Sequence, residues 1–195
     1  MSKVVDLHKA GAPKELGIYI ITCSTSRYNE PETSTKTDDI SGDIIEQLVL
    51  NAGHRLEGRR LIPDSRLKIR SRAALASKQV DSIIITGGTG LLPYDITIES
   101  IRPFYQKEIS GFGELFRKIS YDKIGPAAML TRASAGLVKG KPSVNMDSEF
   151  SDSIEPEYSS RNKHLLALLM VGEPVISSDR FVGALYPSCH QRLAA

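Results

Sequence analysis

Ile83-Ile84-Ile85-Thr86-Gly87-Gly88-Thr89-Gly90, followed at once by Leu91-Leu92-Pro93-Tyr94-Asp95-Ile96-Thr97, organises the rest of this chain of 195 residues. The apolar, β-branched opening has the character of a buried strand. It ends in a small-residue loop, then an acid, then a helix-start signal. Glycines let a ligand approach the backbone, and the exposed N–H groups of such a loop seat an anion such as phosphate. The segment therefore reads as an anion-binding site on the carboxyl edge of a sheet. On spacing alone, a tight strand-to-helix turn accounts for it equally well. It is not a dinucleotide fingerprint, because the G-x-G-x-x-G spacing is missing, and it is not a P-loop, because no Lys follows the glycines.

Working outward, residues 17–23 (GIYIITC) form a second short apolar run, read as a buried strand. Residues 24–36 are rich in Ser and Thr and contain Pro31, which predicts a long loop. A helix is expected over 39–52, with Ile40, Ile44, Ile45, Leu48 and Val49 on one face and Gly53 just past its end. Residues 56–62 are a strand candidate, after which Asp64 or Ser65 caps a helix reaching about residue 77. The strand 81–86 enters the glycine loop. Thr97 then caps a helix through residue 107 that Pro103 shortens or kinks. Shorter helices over 113–119 and 122–134 and a strand over 137–144 complete the pattern. Alternating strands and helices predict an α/β sandwich with a mainly parallel sheet. The expected organisation is a loose lead-in over 1–16, one domain over 17–170 and an irregular tail over 171–195.

A hydrophobic content of 41%, a charged content of 25% and a net charge of +2 describe an ordinary globular protein and give no reason to expect a nucleic-acid partner. The knots Arg59-Arg60 and Lys68 to Arg72 read as solvated faces. Cys23 and Cys189 make no disulfide framework, and neither has metal-ligand spacing around it, although His190 adjoins Cys189. The start of the chain lacks an apolar signal core and no run of about 18 apolar residues occurs, so a cytoplasmic protein with no membrane partner is expected.

Three groups of residues carry candidate chemistry. The glycine loop (Gly87, Gly88, Thr89, Gly90) is the first. Asp95, five residues past Gly90, and Asp64, after Pro63 at the end of a strand, are the second. Carboxyl ends of neighbouring parallel strands face one crevice. The two carboxylates can therefore share Mg²⁺ through its water shell, as Mg²⁺ commonly binds with a nucleotide. Singly, Asp64 is a helix cap and Asp95 a turn residue. The third group is Ser24, Thr25, Ser26 and Arg27, whose hydroxyls and guanidinium suit phosphate or ribose. In isolation it is a polar surface loop.

Together these residues resemble the MoaB/MogA family of molybdenum cofactor biosynthesis proteins, the molybdopterin adenylyltransferases. The resemblance rests on the stretches 24–28 (STSRY), 39–43 (DISGD), Pro63-Asp64, and 86–90 (TGGTG) with Asp95. It continues through 111–117 (GFGELFR) and 127–133 (AAMLTRA), and so covers about residues 17–141. It implies a three-layer α/β/α sandwich of the molybdopterin-binding type, assembled as a homotrimer or homohexamer. It also implies a reaction in which molybdopterin's terminal phosphate attacks the α-phosphate of Mg-ATP, releasing pyrophosphate. By resemblance, Asp64 and Asp95 are the critical acidic pair and Glu114 lies near the pterin side.

Two departures stand out. The family has Arg before the acid where this chain has Tyr94, which cannot supply a bidentate cationic clamp. Arg27 is the candidate replacement. After Pro142 the family's apolar strand and Pro-Gly turn are replaced by a polar run, in which Asp147, Glu149 and Asp152 would repel phosphate. A helical look returns over 154–170. The alternative function is a family member that binds pterin or acts as a scaffold without catalysis.

Overall fold

Six strands form one sheet because the chain supplies short β-branched runs separated by amphipathic helices. The computed structural model describes residues 15–30, 39–130 and 132–146. In chain order, strand β1 (Gly17–Cys23) is followed by a single helical turn, α1 (Thr25–Tyr28), and by helix α2 (Ile40–Asn51). Then come β2 (Arg55–Ile62), α3 (Arg66–Ala76), β3 (Ser82–Thr86) and α4 (Thr97–Ile101). The remainder is β4 (Tyr105–Glu108), α5 (Gly111–Ile124), β5 (Ser134–Val138) and β6 (Lys141–Met146). The sheet order is β2-β1-β3-β6-β5-β4, parallel across the first four strands and antiparallel for the last two pairings.

The strand period of two sorts the core into two layers. Ile18, Ile20 and Ile84 point to one face and pack with Val144, Met146, Leu48, Val49, Phe112 and Phe116, under α2 and α5. Ile21, Ile83 and Ile85 point to the other and meet Ile69, Ala73, Ala76, Ile101 and Val138, under α3 and α4. Each fully buried isoleucine contributes roughly 1.5–3 kcal/mol. The result is the three-layer α/β/α sandwich expected from the sequence, with a mostly parallel sheet. Its parallel half brings the ends of β1, β2 and β3 to one edge, with Cys23 opposite Ile62 and Thr22 opposite Thr86.

Several local expectations change. Residues 25–28 coil into α1 within the expected long loop, because the Ser24 hydroxyl accepts from the Arg27 N–H and caps the turn. The helix expected over 97–107 stops at Ile101. Pro103 has no N–H to continue it, and a 3₁₀ turn (Arg102–Phe104) leads into β4, which pairs antiparallel with β5. Residues 111–124 form one helix rather than two short ones, closed by Gly125 at φ +61°. The strand expected over 137–144 is in fact a hairpin. Lys139 (φ 53°) and Gly140 (φ 76°) supply the two left-handed positions of a tight turn between β5 and β6.

β6 also corrects the reading of the chain after Pro142. Ser143 to Met146 lie buried beside β3 despite their polar composition, so the strand is kept at least to Met146. Leu16, placed in the lead-in, is buried in the core and donates its N–H to His54 Nδ1 at 3.2 Å. The expected helix over 154–170 and the tail over 171–195, with Cys189 and His190, lie outside the described residues. No helix among the described residues is long and apolar enough to cross a membrane.

Candidate active site

A cleft of about 580 Å³ opens at the carboxyl ends of β1, β2 and β3, where a doubly wound sheet places its ligands. Ser24, Ser26, Arg27, Asp64, Gly87, Gly88 and Asp95, all singled out in the sequence, line it together with Thr22, Cys23, Thr25 and Tyr94. Thr89 lies behind the wall, 1% exposed, and Gly90 sits against Asp95. Glu114 is on the exposed side of α5 and is not among the residues lining the cleft.

Asp64 is held by a residue 39 positions earlier. Its Oδ2 accepts from the Thr25 N–H and from the Thr25 hydroxyl, both at 2.8 Å, and its own N–H donates to Thr25 Oγ1 at 2.9 Å. The other oxygen, Oδ1, is buried without a hydrogen-bond partner among the described residues. A carboxylate oxygen left bare in this way is costly unless a ligand completes it. The expected helix-cap role is not taken: α3 begins after Ser65, and no side chain caps it.

The glycine loop is shaped around the two acids. Gly87 and Gly88 have φ of +84° and +60°. A side chain at 87 would collide with the Cys23 carbonyl oxygen, and a Cβ at 88 would sit 2.5 Å from Asp64 Oδ1 and 2.6 Å from Thr97 Oγ1. At Gly90 a Cβ would stand 2.5 Å from Asp95 Oδ2. Among the described residues, none accepts from the backbone N–H groups of Gly88, Thr89 or Gly90. Asp95 closes the following turn, its Oδ2 accepting from the Leu92 N–H and its own N–H donating to the Leu92 carbonyl, both at 2.9 Å.

Among the described residues, the charged groups lining the cleft are two carboxylates and one guanidinium, Arg27. Tyr94 stands at the mouth, 63% exposed. Cys23 is no nucleophile, because burial pushes its thiol up to about 12 against a weaker opposing contact from Thr97. Among the described residues no three His, Cys, Asp or Glu side chains gather as a metal cluster.

Three supports are not evident from the sequence. Thr25 reads there only as one of several hydroxyls, although its place beside Ser24 and Ser26 marks it for the same edge. Arg59 joins Asp39, Asp43 and Glu46, while the Thr22 hydroxyl donates to Asp39 Oδ2 at 2.8 Å, which fixes the start of α2 to the sheet. Arg132 donates from Nε to the Thr89 carbonyl at 2.7 Å and from Nη2 to the Asp95 carbonyl at 3.3 Å. It also forms a forked ion pair with Glu99, which holds that carboxyl below its ordinary range.

The chain is similar to known proteins along most of its length. Molybdenum cofactor biosynthesis protein B of Bacillus cereus is 40% identical over 138 residues, 69% of this chain and 77% of that protein. A molybdopterin adenylyltransferase of Pyrococcus furiosus is 37% identical over 138 residues, covering 70% and 78%. The crystal structure of the tungsten cofactor synthesizing protein MoaB from the same organism superimposes with a TM-score of 0.61 at 31% identity, over 81% of this chain and 99% of that one. The family described as "Probable molybdopterin binding domain" matches residues 19–152, and the chain belongs to it.

Proposed function

We propose that this protein adenylylates molybdopterin. The terminal phosphate oxygen of molybdopterin attacks the α-phosphorus of ATP, a new P–O bond forms, and the bond to the departing pyrophosphate breaks. The observation that carries the reading is Asp64, a residue of the cleft lining whose Oδ1 is buried against Gly88 without a partner among the described residues. The name of the Pyrococcus furiosus relative supports the same reading.

Transfer between phosphates needs alignment and charge neutralisation more than a covalent nucleophile. The N–H groups of the glycine loop present donors to phosphate oxygens in a fixed geometry. Arg27 supplies the cleft's positive charge, and its fork suits a phosphate better than a lysine would. Asp64 and Asp95 would hold Mg²⁺, as two carboxylates do when a nucleotide provides the remaining oxygens. When bound, the metal supplies Lewis-acid polarisation and offsets charge on the attacked phosphate. The chain's own part is to orient both carboxylates, through Thr25 on one and the Leu92 turn on the other.

The test is purified protein with Mg-ATP and molybdopterin, following adenylylated product and pyrophosphate. Wild type should form both, and Asp95→Asn should nearly abolish turnover while the protein stays folded. Unchanged turnover in that variant removes Asp95 from the metal-holding pair. The second reading, binding without catalysis, is favoured by Tyr94 at the wall and by Arg27 being the lone cation in the lining among the described residues. It holds if wild type binds molybdopterin yet forms no product.

A further inference from the structure

Arg132 does not line the cleft, yet it grips two points of the segment that makes one wall of it. Its guanidinium takes the carbonyl of Thr89, within the glycine loop, and the carbonyl of Asp95, at the end of the turn that follows. Glu99 holds the far side of the same fork from α4. A guanidinium is planar and rigid, so two carbonyls bound to it have a fixed separation. Trans peptide geometry carries the effect onward: a Thr89 carbonyl aimed at Arg132 directs the Gly90 N–H the opposite way, and the Asp95 carbonyl does the same for the Ile96 N–H.

We infer that Arg132, oriented by Glu99, is a positioning residue for the transfer, setting the glycine-loop N–H donors and the Asp95 carboxylate in register with each other. The inference rests on the function proposed above. What separates this pair from an ordinary surface ion pair is its reach into the backbone. Arg102 and Glu108 form an equally well-made fork, at 3.0 and 2.9 Å, but they are not among the cleft lining residues. That pair is a matched control.

Four variants test it: Arg132→Ala, Arg132→Lys, Glu99→Gln and, as control, Arg102→Met. The first measurement is hydrogen exchange of residues 87–96 in the ligand-free protein. Exchange there should quicken in the three Arg132 and Glu99 variants, with β1 and β3 unaffected, and stay at the wild-type rate in Arg102→Met. The second is turnover with Mg-ATP and molybdopterin. Loss of a supporting contact of this kind costs about 10- to 100-fold, and the loss should fall on kcat with a raised Mg²⁺ requirement. Lysine should not restore it, whereas free guanidinium ion should partly restore Arg132→Ala.

Wild-type exchange over 87–96 in folded Arg132→Ala, or full activity in Arg132→Lys, overturns the inference. If Arg132→Ala does not fold, Glu99→Gln carries the same two measurements, since it keeps the arginine and the shape of its partner. The exchange arm needs no substrate. An inactive wild type would therefore sink the proposed reaction while the clamp is still judged by exchange.

Discussion

The two halves of the sheet differ in what their strand ends meet. In the parallel half, β1, β2 and β3 end together and hand the chain to α1, Asp64 and the glycine loop. In the antiparallel half, β4, β5 and β6 run through a tight turn and close on themselves. Three of the polar side chains buried there pair with one another, although Ser143 Oγ and Asn145 Oδ1 have no partner among the described residues. The Tyr105 hydroxyl and the Ser134 hydroxyl lie 3.0 Å apart, and Asn145 Nδ2 donates to both. Burial pushes the Tyr105 phenol up to about 12, against the pull of its Ser134 partner. In the parallel half, Asp64 Oδ1 is left bare beside N–H donors that no described residue takes up. The difference lies in where the bare atom sits: Asp64 belongs to the lining of a cleft, whereas Ser143 and Asn145 on β6 lie in the interior and are not among its lining residues.

That contrast breaks or sharpens under mutation. The largest effect is expected at Asp64→Asn, which keeps the shape and the Thr25 contacts but loses the charge. Turnover should fall on the order of 10²–10³-fold with little change in melting temperature, and a variant of near wild-type activity would dissolve the difference between the halves. Gly88→Ala comes next. A left-handed alanine costs about 1–2 kcal/mol, and its methyl would displace the Asp64 carboxylate. Activity should drop more than stability does, measured as kcat/KM beside the unfolding free energy.

Tyr105→Phe probes the other half. It should lower stability by about 1–3 kcal/mol, the cost of leaving a buried partner unpaired, and leave kcat unchanged in the same assay. A fall in kcat with stability intact would mean that the antiparallel half contributes to the chemistry.

The smallest effect is a pH slope at the opposite end of the parallel half. Burial lowers the His54 pKa below its ordinary 6.5, partly offset by Glu15. The unfolded chain therefore takes up this proton first as pH falls. Stability from His54 is fully present above about pH 6.5 and is lost as pH drops through and below it, at no more than about 1.4 kcal/mol per pH unit. Denaturant unfolding of wild type and His54→Asn between pH 7.5 and 5.5 should give curves that converge towards the acid side. Parallel curves would remove His54 as the cause.

Local periodicity makes much of this protein readable. β1, α2, α3 and β3 lie within a residue or two of where the local pattern places them, because each is specified by residues within one or two turns or pleats of one another. The glycine loop is legible for the same reason. The hairpin of β5 and β6 is not, because its turn rests on Lys139 and Gly140 both adopting φ above zero, and only Gly140 signals that in advance. β4 is hidden inside an apparent helix, since four residues with alternating burial become a strand only when β5 is there to pair with them.

The cleft divides in the same way. Asp64, Asp95 and the Ser24 to Arg27 run stand out in the chain through residue type and position at strand ends. What holds them does not. Thr25 reaches Asp64 across 39 positions and Arg132 reaches Thr89 across 43. No spacing rule connects such residues, because their meeting depends on strand order and crossover connections. Identity of the chemical groups is a local property, written in the chain. Their geometry is collective, and it exists only once β1, β2 and β3 lie side by side.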